Sequence, residues 1–427
     1  MSITAEKTEH KEGYKKTELG WIPKEWKIEI LSEVTTILLS NVDKNANSNE
    51  IPVKLCNYTD VYKNNYINNK INFMEATAKE AEIEKFWLKQ DDVIITKDSE
   101  DQNDIGIPAL VIEELDNVLC GYHLAILRPK QNLLNGMFLM KAMQGNKIRI
   151  YLAKHANGIT RFGLTSSIIN NIPIPLPPLA EQEKIAKIIS SWDKAIEKTE
   201  SLITAKSQLK KTLMQRLLTG NLRFAEFAEQ KWEKHKLGEI FEERKETSKD
   251  IDKYSLFSLT IEKGLTEKTE RYERSFLLKD KEENQYRLVY PNDILYNPMN
   301  IRFGAIARSK IDKIVCVSAY YNVMQLTKKD FNIRFFEYLF KSQKLFNLYE
   351  SVATGSLLEK KRVHLGEFLK LEITCPEPEE QQKIAAVLNT CDKEIELLNK
   401  QLDALKEQKK GLMQKLLTGQ IRVKLEE

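Results

Sequence analysis

Several features that point to particular protein classes are absent or scarce in this 427-residue sequence. Its five cysteines are dispersed and mostly lie in apolar runs, so we expect reduced core residues rather than disulfides or zinc ligands. No run approaches 18 consecutive apolar residues and the first 16 residues are polar, so we expect neither a membrane span nor a signal peptide. The 66 basic and 62 acidic residues nearly cancel, so any nucleic-acid-binding surface must be local. These observations predict a cytoplasmic chain of several globular domains.

Motifs of catalysis and cofactor binding are also missing. No glycine-rich cofactor loop follows a strand, no GxxxxGK[ST] phosphate loop occurs, and the five histidines form no HExxH zinc motif. The run Asn-Pro-Met-Asn at 297–300 lacks the second proline and the aromatic residue of the amino-methyltransferase motif. Residues 101–112 begin like a calcium loop but place Ile105 and Ile112 at ligand positions. We therefore expect no catalytic residue, metal or cofactor in this chain.

A repeated segment organises the sequence. Residues 180–223 and 379–422 align without a gap at an offset of 199, and about 20 of the 44 positions are identical. Prolines precede each copy, and Gly220 and Gly419 follow the last leucines, which is the usual punctuation of a helix. The sequence therefore predicts two similar halves, each a globular domain of about 150 residues followed by a helix.

The apolar residues of each copy recur in alternating steps of three and four, which is the period of a coiled coil. One stripe on each helix is too narrow for the surface of a globular core, so we expect the helices to pair with each other rather than to lie on separate cores. The predicted seam comprises Ile185, Ile189, Trp192, Ile196, Leu213 and Leu217 in the first copy and Ile384, Leu388, Ile395, Leu398, Leu402, Leu405, Leu412 and Leu416 in the second.

Weaker landmarks repeat before each helix. Trp26 and Trp232 occupy equivalent places and are predicted to anchor the cores. Strand-like runs follow at 92–95 and 293–296, then alternating strands at 118–127 and 314–323, and amphipathic helices at 136–154 and 334–351. Because Tyr320 and Tyr321 lie within an alternating run, we expect both rings to pack in the core.

The motifs at the two ends of each long helix are similar to those of a known family. The pattern Pro-Leu-Pro-Pro-Leu-Ala-Glu-Gln-x-x-Ile-Ala at 175–186, a long helix and Leu-Met-Gln-x-Leu-Leu-Thr-Gly, repeated once, resembles the specificity subunit of type I restriction–modification enzymes. The resemblance implies two α/β (α+β) target-recognition domains, each followed by a long conserved helix, with the two helices forming an antiparallel coiled coil. Each domain would read one half of a bipartite, asymmetric double-stranded DNA site. A self-contained restriction or methylation enzyme and a coiled-coil scaffold with no DNA role are the alternatives.

The family also implies the organisation of the complex. Two methyltransferase subunits and, in the full enzyme, ATP-driven restriction subunits would assemble on this chain, and they would hold the S-adenosylmethionine, ATP and magnesium. The expected organisation is an N-terminal tail (1–19), recognition domain 1 (20–175), spacer helix 1 (176–222), recognition domain 2 (223–374), and spacer helix 2 with a C-terminal tail (375–427).

Candidate DNA contacts follow from residue type, because Arg, Lys, Asn and Gln read base edges while cations and hydroxyls hold phosphates. In the first domain the candidates are Lys54, Asn57, Tyr58, Tyr62, Lys63, Asn64, Thr96, Lys97, Lys154, His155, Asn157 and Arg161. In the second domain they are Arg271, Arg274, Asn297, Asn300, Arg302, Ser356, Lys360, Lys361 and Arg362. For any one of these residues, a solvated polar loop is the alternative interpretation.

Overall fold

The computed structural model describes residues 12–267, 285–357 and 360–425. These residues fold as two compact units. Unit 1 contains the chain up to Thr199 together with the residues from Gln401 onward, and unit 2 is Glu200–Lys400. Each unit therefore contains one globular region, part of the helix that follows it and part of the other long helix.

Unit 1 is a mixed α/β fold. Its strands are β1 (Tyr14–Thr17), β2 (Gly20–Pro23), β3 (Lys27–Ile30), β4 (Thr35–Leu39), β5 (Ile51–Cys56), β6 (Tyr66–Ile67), β7 (Met74–Ala78), β8 (Val93–Thr96), β9 (Asp98–Ser99), β10 (Pro108–Val111), β11 (Val118–Cys120), β12 (Leu124–Pro129), β13 (Phe162–Gly163) and β14 (Pro173–Leu176). Its helices are α1 (Leu31–Val34), α2 (Tyr58–Lys63), α3 (Glu80–Phe86), α4 (Gly136–Gln144), α5 (Asn146–His155), α6 (Ser166–Asn170) and the first part of α7 (Leu179–Leu217).

Strand β8 is the central strand of the main sheet of unit 1. The main sheet has the order β4-β12-β8-β10-β6, and a second sheet has the order β11-β5-β7. All four residues of β8 are buried, as expected of an apolar run in a central strand. Strand β14 pairs antiparallel with β3, so the segment that enters α7 is held beside the segment that follows Trp26.

Unit 2 repeats this plan with different details. Its strands are β15 (Glu233–Lys236), β16 (Phe241–Glu243), β17 (Thr247–Ser248), β18 (Leu256–Thr260), β19 (Gly264–Glu267), β20 (Tyr286–Val289), β21 (Ile294–Tyr296), β22 (Ile306–Arg308), β23 (Val315–Ser318), β24 (Asn322–Leu326) and β25 (Glu372–Cys375). Its helices are the second part of α7, α8 (Ile333–Leu339), α9 (Gln343–Val352), α10 (Leu365–Lys370) and the first part of α11 (Pro378–Leu417). The sheet orders are β16-β24-β21-β22 and β17-β20-β23-β18-β19, and β15 pairs with β25 as β3 pairs with β14.

The structure confirms the predicted fold class of mixed α/β units with two long helices that pack against each other. In unit 2 the ion pairs Lys206–Glu394 (2.8 Å) and Lys210–Asp392 (2.5 Å) join α7 to α11. The partner's number falls as the number along α7 rises, so the helices run antiparallel there. Gly220 and Gly419, after the two helices, have φ values of +76° and +67°, in the left-handed region that glycine adopts readily at a helix end.

Two local predictions were wrong in the same way in both halves. The predicted strand 118–127 is β11 and β12 with a turn between them, and 314–323 contains β23, a turn and the start of β24. The predicted helix 136–154 is α4 and α5, broken at Gly145, and 334–351 falls in α8 and α9, with Ser342 capping the second of these. Period alone does not detect a break when the apolar pattern continues past it.

Candidate nucleic-acid interface

The start of each long helix is held by a buried glutamate. In unit 1, Glu181 accepts hydrogen bonds from Trp26 Nε1 (3.1 Å) and from Arg422 Nε (2.7 Å) and Nη2 (2.9 Å). Arg422 follows α11, so this Trp–Glu–Arg clamp ties three distant segments of unit 1 together. Gly419 makes room for it, since a Cβ there would lie 2.4 Å from Pro23 Cδ.

Unit 2 contains the equivalent clamp. Glu380 accepts from Trp232 Nε1 (3.1 Å) and from Arg223 Nε (2.7 Å) and Nη2 (2.7 Å). Arg223 also donates to the carbonyl oxygens of Phe227 (2.5 Å) and Gln230 (2.8 Å). The predicted anchoring role of the tryptophans is borne out in that Trp26 is fully buried, although Trp232 is only half-buried.

A glutamine after each clamp glutamate joins the long helix to the globular region. Gln182 Nε2 donates to Pro177 O (2.9 Å), and its Oε1 accepts from Asn135 N (2.9 Å). Gln381 makes the same two bonds, to Pro376 O (2.9 Å) and from Asn332 N (3.0 Å). Because the two asparagines cap α4 and α8, each glutamine fixes the helix of the globular region next to its long helix.

An aspartate further along each long helix makes the next connection. In unit 1, Asp193 binds Lys141 Nζ and Lys409 Nζ, both at 2.5 Å, and the Lys141 side chain is fully buried. Burial raises the pKa of Asp193, but the bonds to the two lysines outweigh burial and hold the pKa below its usual value. Burial lowers the pKa of Lys141, and the bond to Asp193 opposes that shift.

The equivalent aspartate of unit 2 has a neutral second partner. Asp392 binds Lys210 Nζ at 2.5 Å and accepts a 2.6 Å hydrogen bond from the hydroxyl of Tyr338. Burial raises the pKa of Tyr338, and the bond to Asp392 raises it further. Lys210 and Lys409, which interrupt the apolar seam, therefore each pair with an aspartate of the other long helix.

Each of the predicted seam residues is buried or half-buried. Ile185, Ile189, Leu217, Ile384, Leu388, Leu402 and Leu416 are buried. Half-buried positions are Trp192, Ile196, Leu213, Ile395, Leu398, Leu405 and Leu412. The buried residues concentrate toward the ends of each helix, where the globular regions also pack.

Several predicted contact residues of unit 1 come together near the segment that follows the central strand β8. Tyr58 and Tyr62 on α2 stack with ring centroids 5.7 Å apart, and the Tyr62 hydroxyl donates to Asp104 Oδ2 (2.5 Å). Arg161 Nη2 donates to Asp98 Oδ1 (2.9 Å), which raises the pKa of the guanidinium. Strand β9 pairs with β13 in the hairpin of residues 157–163, and its Ser99 hydrogen-bonds the side chain of Tyr58 on α2, so α2 and this hairpin form one loop cluster.

Other candidates of unit 1 lie apart or are engaged in the fold. Lys97 is half-buried and donates to Ser40 O (3.0 Å), and burial lowers its pKa. Thr96 is buried, and its hydroxyl accepts from Ile107 N (3.0 Å). Asn57 precedes α2 at its capping position. The remaining candidates are Lys54 on β5, Lys63 and Asn64 at the end of α2, Lys154 and His155 at the end of α5, and Asn157 at the base of the hairpin, all exposed.

In unit 2, two of the predicted DNA-contact residues pair with Glu350. This carboxylate pairs with Arg302 (2.5 Å) and Lys361 (2.9 Å), which lowers its pKa. Asn297 side-chain Oδ1 accepts from Met299 N (3.0 Å), and Val363 N donates to Pro298 O (2.9 Å), so the 297–302 turn touches the segment after Arg362. Asn300, Ser356, Lys360 and Arg362 are exposed. Arg271 and Arg274 lie outside the described residues.

The structure adds residues that sequence reasoning missed. His123 Nδ1 lies 2.6 Å from Asp98 Oδ2, and its ring packs at a tilt against Tyr122, which is 38% exposed. The equivalent turn of unit 2 exposes Tyr320 (37%) beneath the Arg362 guanidinium, 5.5 Å from the ring centroid. Core packing was therefore the wrong expectation for Tyr320, while Tyr321 packs partly against the core. The repeated turn position was the signal that could have revealed the pair.

Residues suited to metal or thiol chemistry are arranged as parts of the core. In the described ranges, no group of three or more His, Cys, Asp or Glu side chains is placed to hold a metal ion. Four cysteines are buried and Cys391 is half-buried. Burial raises the pKa of Cys316 to about 11 and that of Cys375 to about 12. Within the same ranges, no helix is both long and apolar enough to cross a membrane.

The structure is that of a modular protein with two similar units, each with a loop cluster of cations and aromatic rings and each clamped to the long helices. A sequence profile described as the type I restriction modification DNA specificity domain matches residues 23–205 and again residues 229–407. Because these matches cover most of the chain, it belongs to that family, and its two specificity domains agree with the recognition role expected from the sequence.

Relatives and solved structures agree with this assignment. The chain is 25% identical to the putative type I restriction enzyme MjaX specificity subunit of Methanocaldococcus jannaschii, over 97% of both proteins. It is 26% identical to the MjaVIII specificity subunit of the same organism, over 70% of this chain and 73% of that protein. The S subunit of a type I system from M. genitalium has a similar fold, with a TM-score of 0.54 at 15% identity over 92% of this chain and 96% of that one. A chain from a structural study of type I complex assembly matches equally well, with a TM-score of 0.54 at 15% identity over 94% and 99%.

Proposed function

We propose that this chain is the DNA sequence-specificity subunit of a type I restriction–modification complex. Each globular region reads one half of a bipartite, asymmetric DNA site, and the helix pair sets the spacing and docks methyltransferase subunits. The observation that carries the proposal is that both units fasten the long helices with the same contacts but have unlike loop clusters. Glu181 and Glu380 make the same clamp, whereas the clusters around Asp98 and Glu350 share few side chains.

The spacing role rests on the long helices. Helix α7 has 39 residues and α11 has 40, so each extends for roughly 60 Å at 1.5 Å per residue. Two half-sites on one face of B-DNA have centres about 34–36 Å apart, which is within the reach of such a spacer. Ion pairs and apolar seam residues fix one helix against the other, so the spacer is stiff where a disordered linker would not be.

Catalysis belongs to partners in this proposal. We assign S-adenosylmethionine to two methyltransferase subunits, and ATP and magnesium to restriction subunits in the full complex, all in the cytoplasm. Candidate DNA contacts in this chain remain the loop residues of the two clusters, among which Arg161 and Arg362 are exposed cations beside aromatic rings.

The test is sequencing of methylated DNA from cells that carry this chain with its methyltransferase. We expect a two-part motif with a fixed gap. Replacing residues 20–172 by the equivalent region of a relative should change one half of that motif and leave the other intact. A swap that alters both halves, or purified chain that methylates DNA without any partner, would contradict the proposal.

A further inference from the structure

The tip of the hairpin in each loop cluster carries an exposed aliphatic side chain. Ile159 is 93% exposed, which is the highest value among the large apolar residues described, and Leu357 is 56% exposed. Ile159 directly follows Gly158 (φ +137°), and Leu357 is the second residue after Gly355 (φ +149°). The two residues therefore lie in the corresponding loops of the two units, one position apart relative to the glycine.

Both tips are held in place at their bases. In unit 1, Asn157 N donates to Gly163 O (3.0 Å) and Gly163 N donates to Asn157 O (2.8 Å). In unit 2, Thr354 and Arg362 exchange the same pair of bonds, at 2.9 and 2.8 Å. A Cβ on Gly158 would lie only 2.0 Å from the carbonyl oxygen of Arg161, so glycine is required for the turn. In unit 1 this closed hairpin presents Ile159 on a fixed support. In unit 2 the bonds between Thr354 and Arg362 fix the two ends of the segment that carries Leu357.

A cation and an exposed tyrosine accompany each tip. In unit 1, Arg161 binds Asp98, which also binds His123, and the His123 ring lies tilted by 45° against Tyr122 at a centroid distance of 3.7 Å. In unit 2, Arg362 at the base of the hairpin lies over the Tyr320 ring. A single exposed aliphatic residue needs no explanation. An aliphatic side chain and an arginine in the same loop, beside an exposed tyrosine on the same turn, recur in two diverged units and do need one.

We propose that Ile159 and Leu357 are apolar wedges that enter a base step of the DNA half-site read by their unit. Aliphatic side chains are used in this way by proteins that unstack and kink DNA, while neighbouring cations hold the phosphates. Tyr122 and Tyr320 offer ring faces on which an unstacked base can lie. This inference rests on the proposed function, because it requires that each unit binds duplex DNA.

The wedge makes a prediction that a phosphate contact does not. An apolar insertion releases no counterions, so its removal should weaken binding without changing the salt dependence. Loss of an arginine–phosphate contact should instead lower the slope of log K against log salt by about one. Because the wedge acts by opening a stacked step, a mismatch at that step should restore much of the lost affinity.

The experiment uses the complex of the full chain with its methyltransferase and a duplex carrying the motif found by methylome sequencing. The variants are Ile159→Ser and Leu357→Ser, and the matched controls are Ile150→Ser and Ile251→Ser, which replace exposed isoleucines outside the hairpins (55% and 41% exposed). We expect each tip variant to raise Kd about tenfold or more at an unchanged salt slope, and the controls to leave Kd unchanged. Arg161→Gln should lower the slope. A series of single mismatches through each half-site should contain one step that rescues only the variant of that half.

The possible failures are distinguishable. If the wild-type complex methylates no bipartite motif, the proposed function fails. If it binds its motif while the serine variants bind equally well, the wedge is wrong and the function stands. The wedge is also wrong if the variants lose the methyltransferase during purification, or if no mismatch rescues them, because the tips would then contact protein or only the DNA surface.

Discussion

The two units fasten the long helices with the same contacts but build their loop clusters from different residues. Glu181 and Glu380 each take a tryptophan and an arginine, and Asp193 and Asp392 each take a lysine from the other long helix. The clusters share a hairpin with an aliphatic tip and an exposed tyrosine, but not their charged networks. The contacts that fasten each globular region to the long helices are therefore repeated. The loop surfaces, which in the proposed function read different DNA sequences, have diverged.

At one position among these repeated contacts, the two units have different residue types. Lys141 and Tyr338 each lie six residues after the asparagine that caps the helix containing them. The first brings a buried charge to its aspartate, and the second brings a neutral hydroxyl. Unit 1 therefore buries a lysine charge that needs its aspartate as a counter-ion, and unit 2 buries no such charge at this place.

The largest effect should come from removing the counter-ion of that buried lysine. Asp193→Asn leaves the fully buried Lys141 without its counter-ion, which should destabilise unit 1 by about 3–5 kcal/mol. Asp392→Asn should cost less than about 1 kcal/mol, since Asp392 is 40% exposed and Lys210 can reach water. Thermal unfolding of both variants measures the difference.

Two further measurements test the cause of that loss. The double variant Lys141→Met with Asp193→Leu should recover most of the lost stability, because an apolar pair replaces the buried ions. The folded-state pKa of Asp193 is lowered, so its contribution is present above the usual pKa of aspartate and disappears as pH falls through the folded value. The stabilities of the wild type and Asp193→Asn should thus begin to converge as pH falls below about 4, and meet only below the lowered folded pKa. A constant gap at all pH values would assign the loss to altered packing.

A smaller effect is expected at the clamps. Glu380→Gln should cost about 3 kcal/mol, because Arg223 is only 18% exposed and would lose its carboxylate in a confined place. Glu181→Gln should cost about 1.5 kcal/mol, since Arg422 is 41% exposed and retains Glu25 at 2.8 Å. Calorimetry that resolves the two units gives both numbers. Equal losses would mean that the exposure of the arginine does not matter.

How much could be predicted from the sequence depends on how far apart along the chain the interacting residues lie. The two long helices and their seam were found because the period of three and four residues is a local signal. The clamps were missed, since Arg422 and Glu181 are 241 positions apart and spacing carries no information on such a pair. A signal was nevertheless present, because Arg223 and Arg422 are the last matching positions of the repeat. The wedge residues were missed because residue-type rules for DNA contacts favour polar side chains.

The smallest expected effect compares the two seams. Leu402 and Ile203 are equivalent positions of the repeat, but Leu402 is buried and Ile203 is half-buried. Leu402→Ala should cost about 2 kcal/mol, at the low end for a core leucine. Ile203→Ala should cost about half as much, because less apolar surface returns to water. Leu397→Ala is the control, since this leucine of α11 is 67% exposed and its truncation should leave the unfolding midpoint unchanged. If Ile203→Ala proved the more damaging substitution, the first helix would hold the pair together as firmly as the second, and the weaker seam of its sequence would have no physical counterpart.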